Sequence, residues 1–137
     1  MGTIAAMIKT VIVACALSAI SIQCEFPPAV LSSFLQGLHD TCTQAIGVSD
    51  DEIKNYQLTT DSSSKMKCYL LCILIESKWG NPDGTLDYDY VVENVHESVR
   101  DIVMPLVEKC RDTPKMEDEC ETAYALNLCV YKQDPEV

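Results

Sequence analysis

The chain has 137 residues, with 21 acidic and 10 basic side chains and a formal net charge of −11. This length fits one domain with a modest core. So large a negative charge repels phosphate backbones and anionic lipid surfaces, which argues against nucleic acids and acidic membranes as partners.

The N-terminus has the features of an export signal. Lys9 is the only charged residue before residue 25, and residues 10–22 form a mainly apolar run, TVIVACALSAISI. Such a run is typical of a signal peptide and is shorter than the ~20 residues that a membrane span needs. We expect a signal peptide of residues 1–24, with cleavage after Ser21 or an uncleaved signal anchor as alternatives. The mature chain is then one secreted domain, residues 25–137, without a membrane span.

The first two helices are predicted from their end signals. A helix over residues 27–47 has Pro28 near its start, Gly47 as its stop and one apolar stripe. Ser49 and Glu52 have the spacing of a capping box and begin a second, short helix.

The third predicted helix, residues 60–80, is apolar nearly all round. Thr60, Asp61 or a following serine is its expected N-cap, and Gly80 its expected end. Since a helix without a polar face is normally buried, we expect this one at the centre of the fold. The residues NPDG at 81–84 form a turn.

Three further helices are expected in the second half of the chain, which makes an all-α fold of about six helices. The fourth is indicated by one apolar face, which carries Tyr88, Val91, Val92 and Val95. The fifth covers residues 99–110, and Pro105 should kink or break it. The sixth should begin with Thr113 as N-cap and Pro114 at its first position, and end near Lys132.

Six cysteines remain in the mature chain: Cys42, Cys68, Cys72, Cys110, Cys120 and Cys129. An even number in a short exported chain indicates three disulfides. Cys68 and Cys72 lie on one helix face a turn apart, so they cannot bond to each other without distortion. Each therefore has a distant partner, or the two share a zinc ion, an alternative that export to an oxidising compartment disfavours. Twelve of the fifteen pairings remain open at this point.

The cysteine spacing, C-x25-C-x3-C-x37-C-x9-C-x8-C, resembles that of the six-cysteine insect odorant-binding and pheromone-binding proteins. The stretches LHDTC (38–42), KCYLLC (67–72) and CVYKQDP (129–135) are similar to dipteran members. The resemblance covers nearly the whole mature chain and implies a compact helical bundle around an internal hydrophobic cavity. It also implies three disulfides, Cys42–Cys72, Cys68–Cys120 and Cys110–Cys129.

The function that the resemblance implies is that of a secreted carrier. Such a protein binds small hydrophobic ligands, odorants or pheromones, and moves them through sensillar lymph or another body fluid to an odorant receptor. Members of the family also carry lipids, hormones or dietary compounds outside olfaction, which is the alternative here. The resemblance implies no cofactor and no enzymatic activity, and it leaves a homodimer open, since relatives dimerise.

The residues expected to line the cavity come from two sources. The resemblance places there Leu31, Leu35, Leu38, Tyr88, Val91, Val92, Val95, Val103, Met104, Leu106, Asn127 and Val130. Helical facing adds Phe34, Ile73, Leu74, Trp79, Tyr124 and Leu128. Ordinary core packing is the alternative for each, because an apolar stripe does not distinguish a cavity wall from a filled core.

A pH-dependent closure is also implied by the resemblance. In some dipteran relatives a His and a Tyr that match His39 and Tyr69 hydrogen-bond the C-terminal carboxylate, here that of Val137, and close the tail over the pocket. Acid would weaken that lock and release ligand. Only eight residues follow Cys129, which argues that the tail is too short to close over the pocket.

An enzyme is the remaining alternative. LHDTC is also similar to the His-Asp-x-Cys of secreted phospholipases A2, in which the His activates water and the Asp binds calcium. The five glycines of this chain are scattered and form no calcium loop, so we expect no catalytic residue and no metal ligand.

Overall fold

The structure, a computed structural model, describes residues 29–61 and 63–135, with the side chain of Val30 excepted; the predicted signal peptide lies outside them. Six helices are present in these ranges: α1 Ala29–Ile46, α2 Asp50–Asn55, α3 Ser64–Glu76, α4 Tyr88–Asn94, α5 Glu97–Cys110 and α6 Glu119–Gln133. The same residues form no strand beyond one isolated bridge between Gly80 and Leu86. The predicted all-α fold of about six helices is confirmed.

The chain divides into two units, residues 1–34 and residues 35–137. Of the first unit the structure describes only residues 29–34, the beginning of α1. The helix contacts and sites below belong to the second unit.

The predicted end of α3 at Gly80 is wrong, because the helix stops at Glu76. Lys78 adopts a left-handed φ of 63°, and the N–H of Gly80 then donates to the carbonyl of Leu74 at 3.0 Å. A Cβ at position 80 would overlap the side chain of Leu74. Glycine is therefore needed here for a close approach, and the helix is ended by the residues before it.

The predicted start of α6 is also wrong. Its N-cap is Asp118, whose carboxylate accepts the N–H of Glu121 at 3.0 Å. Thr113, the expected cap, donates its hydroxyl proton to the carbonyl of Cys110 at 2.7 Å and so closes the end of α5. Thr and Asp both cap helices, and here Asp118 begins α6 while Thr113 hydrogen-bonds to the end of α5.

Pro105 does not break α5, which continues from Glu97 to Cys110. Proline removes the hydrogen bond to the carbonyl four residues earlier, that of Asp101. Both residues are exposed, so water can satisfy this carbonyl and the helix is not interrupted.

Three disulfides join the helices of the second unit. Their pairs are Cys42–Cys72, Cys68–Cys120 and Cys110–Cys129, the pairing that the resemblance implied. They connect α1 to α3, α3 to α6, and α5 to α6, and α3 packs along α6. Cys68 and Cys72 therefore do not share a metal ion, and the zinc alternative is wrong.

Candidate functional site

The hydrophobic core of the described residues forms two separate clusters. In the first, between α1, α2 and α3, the buried residues are Cys42, Val48, Met66 and Tyr69, with Ile46, Ile53, Tyr56, Cys72 and Ile73 packed against them. In the second, around α4 and α5, they are Val91, Val95 and Val107, with Trp79, Leu86, Tyr88, Val99, Val103 and Met104 packed against them. The two clusters share no residue.

Helix α3 is less buried than its composition predicts. Met66 and Tyr69 are the only buried residues on it. The remaining Leu and Ile side chains are half-buried: Leu70, Leu71, Ile73, Leu74 and Ile75. A helix with apolar residues on every side and two buried positions leaves apolar surface that neither cluster covers.

Six predicted lining residues come together in the second cluster: Trp79, Tyr88, Val91, Val95, Val103 and Met104. Val91 is completely buried, so protein atoms already cover its side chain. Trp79, Val103 and Met104 are half-buried and keep surface that another molecule could contact.

The hydroxyl of Tyr88 points to a polar partner. It donates to the carboxylate of Glu108 on α5, and the guanidinium of Arg111 lies 4.2 Å from the centre of the Tyr88 ring. The hydrogen bond to Glu108 raises the pKa of Tyr88. This tyrosine therefore connects α4 to the end of α5 and offers only its ring to the second cluster.

The other predicted residues are distributed over the fold. On α1, Leu31 is half-buried, Phe34 and Leu35 are exposed, and Leu38 is buried. Leu106 is buried, Ile73 joins the first cluster and Leu74 covers Gly80. Half-buried positions are Val92, Asn127 and Val130. The amide of Asn127 donates to the carbonyl of Ala123 on its own helix at 2.8 Å.

Two predicted residues, Tyr124 and Leu128, line an open groove of about 400 Å³ on α6. Its remaining lining residues are Met116, Glu117, Asp118, Glu121 and Ala125. Positions 121, 124 and 128 follow helical spacing on α6, a signal that was present in the sequence. The wall at Met116 and Glu117 lies before the helix and could not be inferred without the fold.

His39 and Tyr69 are brought together, as the predicted lock requires. Nδ1 of His39 lies 3.2 Å from the Tyr69 hydroxyl, and Nε2 lies 2.9 Å from Asp50 Oδ1 at the start of α2. A carboxylate only accepts, so Nε2 donates to Asp50, and a ring with a single proton accepts the Tyr69 hydroxyl proton at Nδ1. Burial raises the pKa of Tyr69, and the charge of Asp50 adds to this. The third predicted member, Val137, lies outside the described residues.

Asp50 was missed by sequence reasoning, because nothing in its local sequence connects it to a histidine on another helix. Its position follows from the capping box at Ser49, which starts α2 directly after α1.

No helix of the described residues is long and apolar enough to cross a membrane.

Comparison with known proteins agrees with this fold. Odorant binding protein 4 of Chrysopa pallens matches with a TM-score of 0.69 and 26% identity, over 82% of this chain and 96% of that one. Odorant binding protein lmigOBP1 of Locusta migratoria matches with a TM-score of 0.62 and 28% identity, over 73% and 78%. The medfly protein CcapOBP22/CcapOBP69a matches with a TM-score of 0.63 and 26% identity, over 74% and 88%.

A family model described as the PBP/GOBP family matches residues 25–133, most of the chain. The solved structures that resemble the fold carry the name of insect odorant-binding proteins. The resemblance inferred from the cysteine spacing is thereby confirmed. The chain belongs to the PBP/GOBP family.

Proposed function

We propose that this chain is a secreted carrier that takes up odorants or pheromones and moves them through sensillar lymph to an odorant receptor. Its family membership supports the binding of small ligands. The proteins with similar structures are named as odorant-binding, which supports the choice of volatile apolar ligands.

The divided core is the observation that carries the proposal. Two buried clusters leave the side chains of α3 and part of Trp79 and Met104 incompletely covered. A fully buried Leu, Ile or Met side chain contributes ~1.5–3 kcal/mol, and at most about a third of each of these side chains is still exposed, so covering four of them contributes at most ~2–4 kcal/mol. A nonpolar molecule bound between the clusters would gain this energy, part of which offsets the cost of association.

The disulfides support an incompletely packed interior. A cavity lowers the stability of a small domain. The bond between Cys68 and Cys120 closes a loop with a sequence separation of 52, for which the chain-entropy model gives ~4 kcal/mol of stabilisation. Crosslinks of this kind can compensate for contacts that an open interior lacks.

The binding test uses Trp79, the single tryptophan of the chain. Uptake of the uncharged fluorescent probe N-phenyl-1-naphthylamine into the second cluster should quench Trp79 by energy transfer, and odorant alcohols should displace it. Met104→Gln should weaken uptake about tenfold, because burying an unpaired amide costs ~1–3 kcal/mol.

Ile102→Gln is the matched control, because Ile102 lies two residues away on α5 and is 37% exposed. It should leave uptake unchanged. No uptake of the probe by the disulfide-bonded protein would refute the carrier proposal. Equal losses of probe uptake in Met104→Gln and Ile102→Gln would contradict the second cluster as the location of the binding site.

A further inference from the structure

The groove on α6 is separate from the two core clusters. None of its lining residues belongs to either cluster. The buried side of α6 carries Thr122, Ala123 and Leu126, whereas Tyr124, Ala125 and Leu128 face the groove. Its volume of about 400 Å³ lies within the range of ~300–1,000 Å³ found for sites that bind small molecules.

The floor and one wall of the groove are apolar. Tyr124, Ala125 and Leu128 form a stripe along α6, and Met116, 43% exposed, stands beside its N-terminal end. The hydroxyl of Tyr124 donates to the carbonyl of Leu58 at 2.8 Å, so the ring is held in place. A flexible Met side chain at the edge can adapt to the shape of a bound molecule.

Three carboxylates stand at the same end of the groove, and one of them is neutralised. Lys67 pairs with Glu121 at 2.8 Å and lies 4.5 Å from the centre of the Tyr124 ring. The described residues provide no cation for Glu117 or Asp118. The nearby Lys115 is paired with Asp83 at 3.1 Å.

We propose that the groove is a second binding site, for a small molecule with an apolar body and one protonated amine. The body would lie on Tyr124, Ala125 and Leu128, and the ammonium group would lie between Glu117 and Asp118. Fatty acids would be repelled by the same two carboxylates. A second copy of the chain is disfavoured as the occupant, because each copy has a net charge of −11.

The test compares three probes with one body and different head groups: 4-phenylbutylamine, 4-phenylbutan-1-ol and 4-phenylbutanoate. Each is titrated calorimetrically into the disulfide-bonded protein, with and without saturating N-phenyl-1-naphthylamine. We expect the amine to bind at least tenfold more tightly than the alcohol, the carboxylate to bind most weakly, and the naphthyl probe to change none of these affinities.

Glu117→Gln combined with Asp118→Asn should remove the preference for the amine, while Asn keeps the N-cap of α6. Glu97→Gln combined with Glu119→Gln removes two charges outside the groove at exposed positions, so the preference should remain. If the double groove variant fails to fold, Glu117→Gln alone should lower amine affinity about threefold, since the described residues give this side chain no hydrogen bond or ion pair to lose.

Equal affinity for amine and alcohol, or a preference that survives loss of Glu117 and Asp118, would overturn the proposal. Competition between the amine and the naphthyl probe would also overturn it, because both molecules would then share one site. This result is distinguishable from failure of the carrier proposal, in which the naphthyl probe is not taken up at all.

Discussion

The turn at Gly84 should be highly sensitive to substitution, because an added side chain would be strained by the backbone conformation and would also collide with α6. Gly84 has a φ of +84°. A Cβ there would overlap the carbonyl oxygen of Glu119 and lie 2.9 Å from the backbone nitrogen of Ala123. Both neighbours are backbone atoms of α6, which cannot move aside as the end of a flexible side chain can.

The size of the effect follows from these two terms. A non-glycine residue in a left-handed conformation costs ~1–2 kcal/mol, and overpacking costs ~1–3 kcal/mol. Gly84→Ala should therefore lower the free energy of unfolding by ~2–5 kcal/mol. At ~4 °C per kcal/mol for a domain of this size, the Tm should fall by ~8–20 °C.

Substitutions at two other glycines distinguish the conformational cost from the overpacking cost. Gly47 has a φ of +74° and open space around its Cβ position, so Gly47→Ala should show the conformational cost alone, ~1–2 kcal/mol. Gly37 lies within α1 with nothing near its Cβ position, so Gly37→Ala should stabilise by ~0.5–1 kcal/mol. Thermal unfolding followed by circular dichroism, with disulfides intact, measures all three. If Gly84→Ala costs no more than Gly47→Ala, the close approach of the turn to α6 is refuted.

Two further predictions concern how stability and ligand affinity depend on pH. The pKa of Asp83 is held at about 2 by hydrogen bonds from Thr85, with Lys115 adding to them, so its contribution to stability is present above about pH 4 and is lost as the pH falls toward 2. Carboxyl NMR should show a midpoint near 2 for Asp83, and a midpoint near 4 would contradict this. For the tail lock, ligand affinity should fall from neutral to mildly acidic pH in the full chain, and this fall should disappear when residues 134–137 are deleted. Identical pH dependence in both chains would refute the lock and leave His39 with Asp50 and Tyr69 alone.

Local sequence signals predicted the helix ends and turns correctly where the residue that gives the signal has a single structural role. The capping box at Ser49 and Glu52 is formed as expected, and the turn at 81–84 closes with the N–H of Gly84 on Asn81. The errors occurred where one residue could serve two purposes. Thr113 could begin α6 or end α5, and Gly80 could end α3 or lie under Leu74.

The site was less predictable, because its parts meet only through the tertiary fold. Periodicity identified the apolar faces that supply the second cluster, yet it could not separate the fully buried Val91 from the half-buried Val92 beside it. The contact of His39 with Asp50 depends on how α2 follows α1, and the groove on α6 depends on where residue 116 is held.

The positions of the disulfides determine which helices can move. Helix α3 carries two crosslinks and α6 also carries two, so these helices form a covalent frame. The 37 residues between Cys72 and Cys110 contain no cysteine, and all of α4 and most of α5 lie within them. We expect a guest molecule to pass in and out by displacement of α4 and the beginning of α5, with the backbone of the frame stationary.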